Sequence, residues 1–134
     1  MAYHSFEDLE VWKRSCRLTV KIYELFKNSK EYVLRDQMTR SALSIPSNIA
    51  EGAERSSSLE FIRFLNIAKG SAAELRTQWY IASEVGAIPD SKRDELKKEL
   101  IEISSMLQSL IRSLRSKANI NKTTPYTSNL KPKT

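Results

Sequence analysis

Residues 40–55 read Arg-Ser-Ala-Leu-Ser-Ile-Pro-Ser-Asn-Ile-Ala-Glu-Gly-Ala-Glu-Arg, and this stretch decides the fold. Its apolar residues keep helical spacing through Ile45 and Ile49, yet Pro46 stands inside the pattern. Proline removes one backbone hydrogen bond from a helix interior, at a cost of roughly 3 kcal/mol. The pattern therefore predicts a helix that bends at Pro46 and stops at Gly52, a residue suited to a left-handed helix end.

Polar side chains cluster in the same stretch. Four of them are separated by steps of 4, 3 and 4 residues and share a face if the helix continues: Ser44, Asn48, Glu51 and Arg55. With Arg40 they form a candidate patch for a ligand or a protein partner. The alternative is structural, with Asn48 satisfying backbone groups near the bend and Glu51 pairing with an arginine. We expect Ser41 and Ser44 to bond the carbonyls freed by the proline.

The chain after this stretch predicts two long helices. The apolar positions of the third helix follow steps of 4 and 3: Phe61, Leu65, Ala68, Ala72, Leu75, Trp79 and Ala82. Those of the fourth do the same: Leu96, Leu100, Ile103, Leu107, Leu110 and Leu114. We expect Ser57 to cap the third helix, Gly86 to end it, and residues 70–73 to give it a narrow middle.

The first helix is predicted from a Ser5 cap to about residue 28. It carries two apolar stripes, and two stripes favour burial on two sides. We predict an inner stripe of Leu9, Trp12, Cys16, Thr19, Tyr23 and Phe26. The candidates for contact between subunits are Val11, Leu18, Ile22, Phe64, Ile67 and Tyr80.

Composition and helix order together define the architecture. With 134 residues, three glycines and four prolines, the chain favours one all-helical domain. Short connections between long helices predict an all-α, up-down antiparallel four-helix bundle over residues 1–117. Residues 118–134 are rich in Asn, Thr, Lys and Pro, which predicts a flexible basic tail.

The net charge of +6 is unevenly placed. Residues 1–111 carry sixteen basic and sixteen acidic side chains, so the whole excess falls at the C-terminal end. Its six cations are the predicted nucleic-acid contacts: Arg112, Arg115, Lys117, Lys122, Lys131 and Lys133. The alternative is that the first three complement the end of the fourth helix and the lysines keep the tail soluble.

The residues offer little for catalysis or metal binding. His4 is the single histidine and Cys16 the single cysteine, which is a poor basis for a metal site or a catalytic triad. We therefore expect no enzyme activity and no cofactor. We expect Glu74 to pair with Arg40 or Arg55 across the bundle. The absence of an apolar run of 18 residues argues against a membrane span, and the lone cysteine favours a reducing cytoplasm.

Several strings resemble one family of small bacterial proteins. They are Phe-Glu-Asp-Leu at residues 6–9, Val-Trp at 11–12, Ser-Ile-Pro-x-Asn-Ile-Ala-Glu-Gly at 44–52, and Gly-Ser at 70–71. The resemblance is to the four helix bundle proteins, which include proteins encoded in intervening sequences of 23S ribosomal RNA, and it spans roughly residues 6–115. It implies a helical bundle and ring-shaped homo-oligomers, notably pentamers, without an established activity. The segment at 27–30 departs from the Phe-Pro that the family often has there.

Two functions follow as hypotheses. The first is a non-catalytic, homo-oligomeric module that associates with RNA or a ribonucleoprotein through its basic tails. The second is a protein-binding scaffold that uses the patch around Asn48, Glu51 and Arg55, without nucleic acid.

Overall fold

Four antiparallel α-helices make up almost all of the computed structural model, which describes residues 5–118. A short 3-10 helix, Phe6–Asp8, is followed by α1 (Glu10–Leu25), α2 (Tyr32–Ala53), α3 (Ser58–Glu84) and α4 (Asp90–Ala118). Each helix packs against the next, and α4 returns to α1. No strand occurs between residues 5 and 118. The predicted all-α, up-down bundle is confirmed. His4 and residues 119–134, which include nearly all of the predicted tail, lie outside the described part.

The core follows the predicted seams of α3 and α4. Leu65, Ala68, Ala72 and Leu75 have no exposed surface. On α4 the seam holds through Leu107, but the next buried side chain is Ile111, while Leu110 and Leu114 are only partly buried. A strict seven-residue repeat drifts around a straight helix of 3.6 residues per turn, and this drift brings Ile111 into the core.

The predicted inner stripe of α1 is buried at Thr19 and Phe26 but not at Tyr23, and the second stripe, which was expected between subunits, is buried as well. Val11, Leu18 and Ile22 were expected between subunits, but they lie in the core of one chain. Tyr23 of the predicted inner stripe is 53% exposed instead. Because α1 has apolar residues on both sides, its periodicity predicts a helix but does not predict which side packs against the neighbouring helices.

Helix ends confirm two of the predicted signals and correct a third. The Ser57 hydroxyl accepts a hydrogen bond from the Glu60 amide at the start of α3. Gly86 follows α3 with a φ of 77°, the left-handed conformation that glycine adopts without strain. Ser5, in contrast, caps the short 3-10 helix, and Leu9 precedes α1 without a side-chain cap.

Gly52 does not end α2 as predicted. The helix continues through Ala53, and Gly52 is buried against α3. A Cβ atom at position 52 would lie 2.7 Å from Phe64 Cβ and 3.0 Å from Phe61 Cδ1. The glycine therefore allows the close approach of α2 and α3. The predicted narrow middle of α3 is only half right, since Ser71 and Ala72 are buried but Gly70 is exposed with nothing within 4 Å of an added Cβ.

None of the helices between residues 5 and 118 has the length and apolar character needed to cross a membrane.

Candidate functional site

Pro46 is accommodated by a hydroxyl from another helix. Proline has no N–H, so the carbonyl of Ala42, four residues earlier, loses its helical donor. Thr19 Oγ1 of α1 lies 3.0 Å from this carbonyl oxygen and 2.8 Å from the Ser15 oxygen of its own helix, and its single proton is shared between them. The freed carbonyl is thus satisfied by Thr19, and the predicted roles of Ser41 and Ser44 are wrong.

Ser44 and Asn48 of the predicted patch connect α2 to α3. The Asn48 amide donates to the Ser44 carbonyl at 2.8 Å and to the Ser44 hydroxyl at 3.0 Å. The two hydroxyls of Ser44 and Ser71 lie 2.8 Å apart across the helix contact. These bonds give Asn48 and Ser44 a structural role, which is the second of the two interpretations of the patch.

Replacing Asn48 with alanine is expected to lower the free energy of unfolding by about 1–3 kcal/mol, because partly buried groups lose their partner. Thermal and urea unfolding would measure this. The matched control is Asn66→Ala, whose amide donates to the carbonyl of Ile62, four residues earlier on the same helix. Equal and small effects at the two positions would contradict a structural role for the bonds that Asn48 makes to Ser44.

The charged residues of the patch divide into two groups. Arg55 pairs with Glu51 at 2.6 Å, and its guanidinium carbon lies 4.8 Å from the Phe64 ring centroid. Arg63 stacks on the same ring at 4.6 Å, so two guanidinium groups flank the ring at the α2–α3 contact. Arg40 is exposed and takes part in none of the ion pairs within residues 5–118. Within residues 5–118 no ion pair or side-chain hydrogen bond joins Arg40 to the other four patch residues.

Glu74 faces α2 but does not form the predicted ion pair. Its carboxylate accepts a hydrogen bond from the Ser41 hydroxyl at 3.4 Å. No ion pair in the described part of the chain joins it to Arg40 or Arg55. The predicted pairing of Glu74 across the bundle is wrong because Arg55 is already held by Glu51.

An ion-pair network that the sequence analysis missed closes the bundle between α1 and α4. Arg14 lies 3.0 Å from Glu99 and 2.5 Å from Glu102, and Lys21 lies 3.2 Å from Glu95. Hydrogen bonding to Glu102, then to Glu99, raises the pKa of Arg14. The same bond to Arg14 lowers the pKa of the Glu102 carboxyl. The signal was the acidic spacing of 4 and 3 on α4, which places these carboxylates on one face.

Few side chains among residues 5–118 are suited to catalysis or to metal binding. No cluster of three or more His, Cys, Asp or Glu side chains there can hold a metal ion. Partial burial raises the pKa of the Cys16 thiol, which disfavours the reactive thiolate. Trp12 packs edge-to-face on Phe6, and Trp79 Nε1 donates to the Arg93 carbonyl at 2.9 Å. These two indole rings are therefore held by the fold.

Basic side chains lie near the end of α4 and along the contact between α3 and α4. Arg112 and Lys117 are exposed and Arg115 is partly buried, while the three predicted tail lysines, Lys122, Lys131 and Lys133, lie beyond residue 118. Nearer the middle of the two helices, a groove of about 440 Å³ is lined by Arg76, Trp79, Tyr80, Lys97 and Ser104, among others. The sequence did not predict this groove, because residues 1–111 carry equal numbers of acidic and basic side chains.

The fold and these surfaces define a small four-helix-bundle protein. The profile of the 23S rRNA-intervening sequence protein family matches residues 7–109, and the chain belongs to that family. A similar crystal structure is that of a protein of unknown function from the S23 ribosomal protein family of Bacteroides thetaiotaomicron, with 30% sequence identity and a TM-score of 0.72. The match covers 76% of this chain and 95% of that one. No curated protein matches the chain.

Proposed function

We propose that this chain is a non-catalytic helical module that assembles with copies of itself and associates with RNA or a ribonucleoprotein in the cytoplasm. The family takes its name from an intervening sequence of 23S rRNA, which supports an RNA partner. The scarcity of reactive groups among residues 5–118 supports a binding role over catalysis. The lone cysteine supports a reducing compartment.

The observation that carries self-assembly is the outer face of α3. Ile67 and Ile81 are 40% and 47% exposed, and Val85 beyond the helix is 60% exposed. Positions 67 and 81 lie fourteen residues apart, close to four helical turns, so their side chains share one side of α3. Exposed apolar side chains on one side of a helix suit contact with a second copy of the same helix. The family resemblance supports a ring, and we expect five subunits.

Light scattering coupled to size exclusion tests the assembly. We expect the full chain to elute with five times its mass of 15.4 kDa. The double change Ile67→Glu and Ile81→Glu should release smaller species, because each buried contact would then carry an unpaired charge. The control Val33→Glu changes a side chain that is 77% exposed at the start of α2 and should leave the mass unchanged. A wild-type chain that elutes as a monomer would contradict the proposed assembly.

The alternative function is a protein-binding scaffold that uses the patch of Arg40, Ser44, Asn48, Glu51 and Arg55. The internal partners of Ser44, Asn48 and Arg55 count against it, since their polar groups are already engaged. Binding of the full chain to RNA separates the two functions. An affinity for RNA that falls as the salt concentration rises supports RNA association. If the chain does not bind RNA even at low salt, the protein-binding scaffold is the function that remains.

A further inference from the structure

A row of cations follows the groove between α3 and α4. Lys69 and Arg76 lie seven residues apart on α3, so they occupy one side of that helix about 10 Å apart. On α4, Lys97 lines the same groove as Arg76, and farther along the two helices the Lys69 ammonium donates to the Gln108 side chain. Arg115 follows Gln108 by seven residues and therefore extends the same side. The row from Lys97 to Arg115 is about 27 Å long.

None of these cations forms an ion pair within residues 5–118, although Asp94 and Glu102 line a second pocket with Lys97. Residues 69–80 of α3 contain one acid, Glu74, and its carboxylate accepts a bond from Ser41 of α2. Residues 97–115 of α4 contain two, Glu99 and Glu102, and both bind Arg14 of α1. Among residues 5–118 no ion pair involves any of the four groove cations: Lys69, Arg76, Lys97 and Arg115. The groove is therefore positive although residues 1–111 are neutral in sum.

An aromatic side chain lies among these cations. Tyr80 lines the groove and is 58% exposed. Beside it, the Lys97 ammonium lies 5.7 Å from the centroid of the Trp79 ring, whose N–H is held by the Arg93 carbonyl. Cations that follow a backbone, together with an open aromatic face for a base, are the features that bind single-stranded nucleic acid.

We propose that the groove between α3 and α4, with Lys69, Arg76, Tyr80, Lys97 and Arg115, is the site where this protein binds single-stranded RNA. The four cations contact successive phosphates, and Tyr80 stacks on one base. The inference rests on the proposed RNA association. It places the main RNA-binding site on the bundle and not on the predicted tail. Four phosphate contacts on a single strand predict a slope of about −3 for log affinity against log salt.

The test is fluorescence anisotropy of the full chain with a labelled, unstructured RNA of about 20 nucleotides, longer than typical single-strand sites. The triple variant Lys69→Gln, Arg76→Gln, Lys97→Gln should weaken binding at least tenfold and reduce the slope to about −1. Tyr80→Ala should weaken binding roughly 5- to 150-fold, while Tyr80→Phe keeps the ring and should bind like wild type.

Two further triple variants remove the same charge elsewhere. One changes Lys122, Lys131 and Lys133 to Gln, and the other changes Lys13, Lys27 and Lys30 to Gln. We expect either variant to weaken RNA binding less than threefold. Unfolding midpoints are measured for all variants so that a loss of binding is not confused with a loss of stability. If the wild type binds RNA and the groove variant binds equally well, the proposed groove site is wrong but RNA association stands. If the tail variant loses more affinity than the groove variant, the main RNA site lies in the tail. No binding by wild type would overturn the proposed RNA association as well.

Discussion

Gly52→Val is expected to destabilise the bundle by about 2–3 kcal/mol, because the new side chain has no room against α3. A Cβ at this position already lies 2.7 Å from Phe64 Cβ, an atom fixed by its own backbone, and 3.2 Å from the Phe61 carbonyl oxygen. The two helices must move apart or the side chains must leave their favoured rotamers. Valine has a better helix propensity than glycine, so the packing effect acts against a small local gain.

Gly70→Val provides the matched control for Gly52→Val. Gly70 also lies inside a helix, but nothing stands within 4 Å of an added Cβ. We expect its unfolding free energy to stay within about 0.5 kcal/mol of wild type. Urea unfolding at two protein concentrations would separate any effect on self-association. Similar losses at the two glycines would contradict close packing at Gly52.

Thr19→Val is expected to cost about 1–3 kcal/mol, since it keeps the volume but leaves the buried Ala42 carbonyl without a donor. Thr77→Val is the control, because the Thr77 hydroxyl donates to the Ala73 carbonyl of its own helix and the residue is exposed. That change should alter stability by less than about 0.5 kcal/mol.

A double-mutant cycle with Pro46→Ala tests the same contact more sharply. Alanine restores an N–H that can bond the Ala42 carbonyl within the helix, so Thr19 loses its special role. The cost of Thr19→Val should then fall by about 1 kcal/mol. An unchanged cost would show that Thr19 acts through packing, and the account of how the proline is tolerated would be wrong.

The seams of α3 and α4 were predictable because their apolar residues repeat on one side only. The α1 helix carries Leu18 and Ile22 on one side and Trp12 and Tyr23 near the other. Which side is buried depends on where α2 and α4 lie, and no local pattern contains that information. The structure buries the aliphatic side and also Thr19 and Phe26 of the other, while Tyr23 remains half exposed.

Tertiary contacts also explain why Gly52 and Thr19 were misread. A glycine near the end of a helical pattern predicts a helix end, but at position 52 it makes room for Phe64. Serines near Pro46 predict local bonds to the freed carbonyl, but the donor comes from 23 residues earlier in the chain. In both cases the deciding atom belongs to another helix.

The basic groove was hidden by the total charge. Residues 1–111 carry equal numbers of acidic and basic side chains, yet Glu74 and Glu102 contact other helices. Charge balance along the chain therefore does not predict charge balance over the surface. Spacing alone places Lys69 and Arg76 on one side of α3, and only the antiparallel packing of α4 brings Lys97 to the groove that Arg76 lines.

The most direct test of the proposed binding site is ultraviolet crosslinking of the full chain to single-stranded RNA, with the attached peptides mapped by mass spectrometry. The account predicts crosslinks at Tyr80 and in the peptides that carry Arg76 and Lys97, lost when the RNA is competed away by salt. Crosslinks confined to residues 119–134 or to α1 would contradict it.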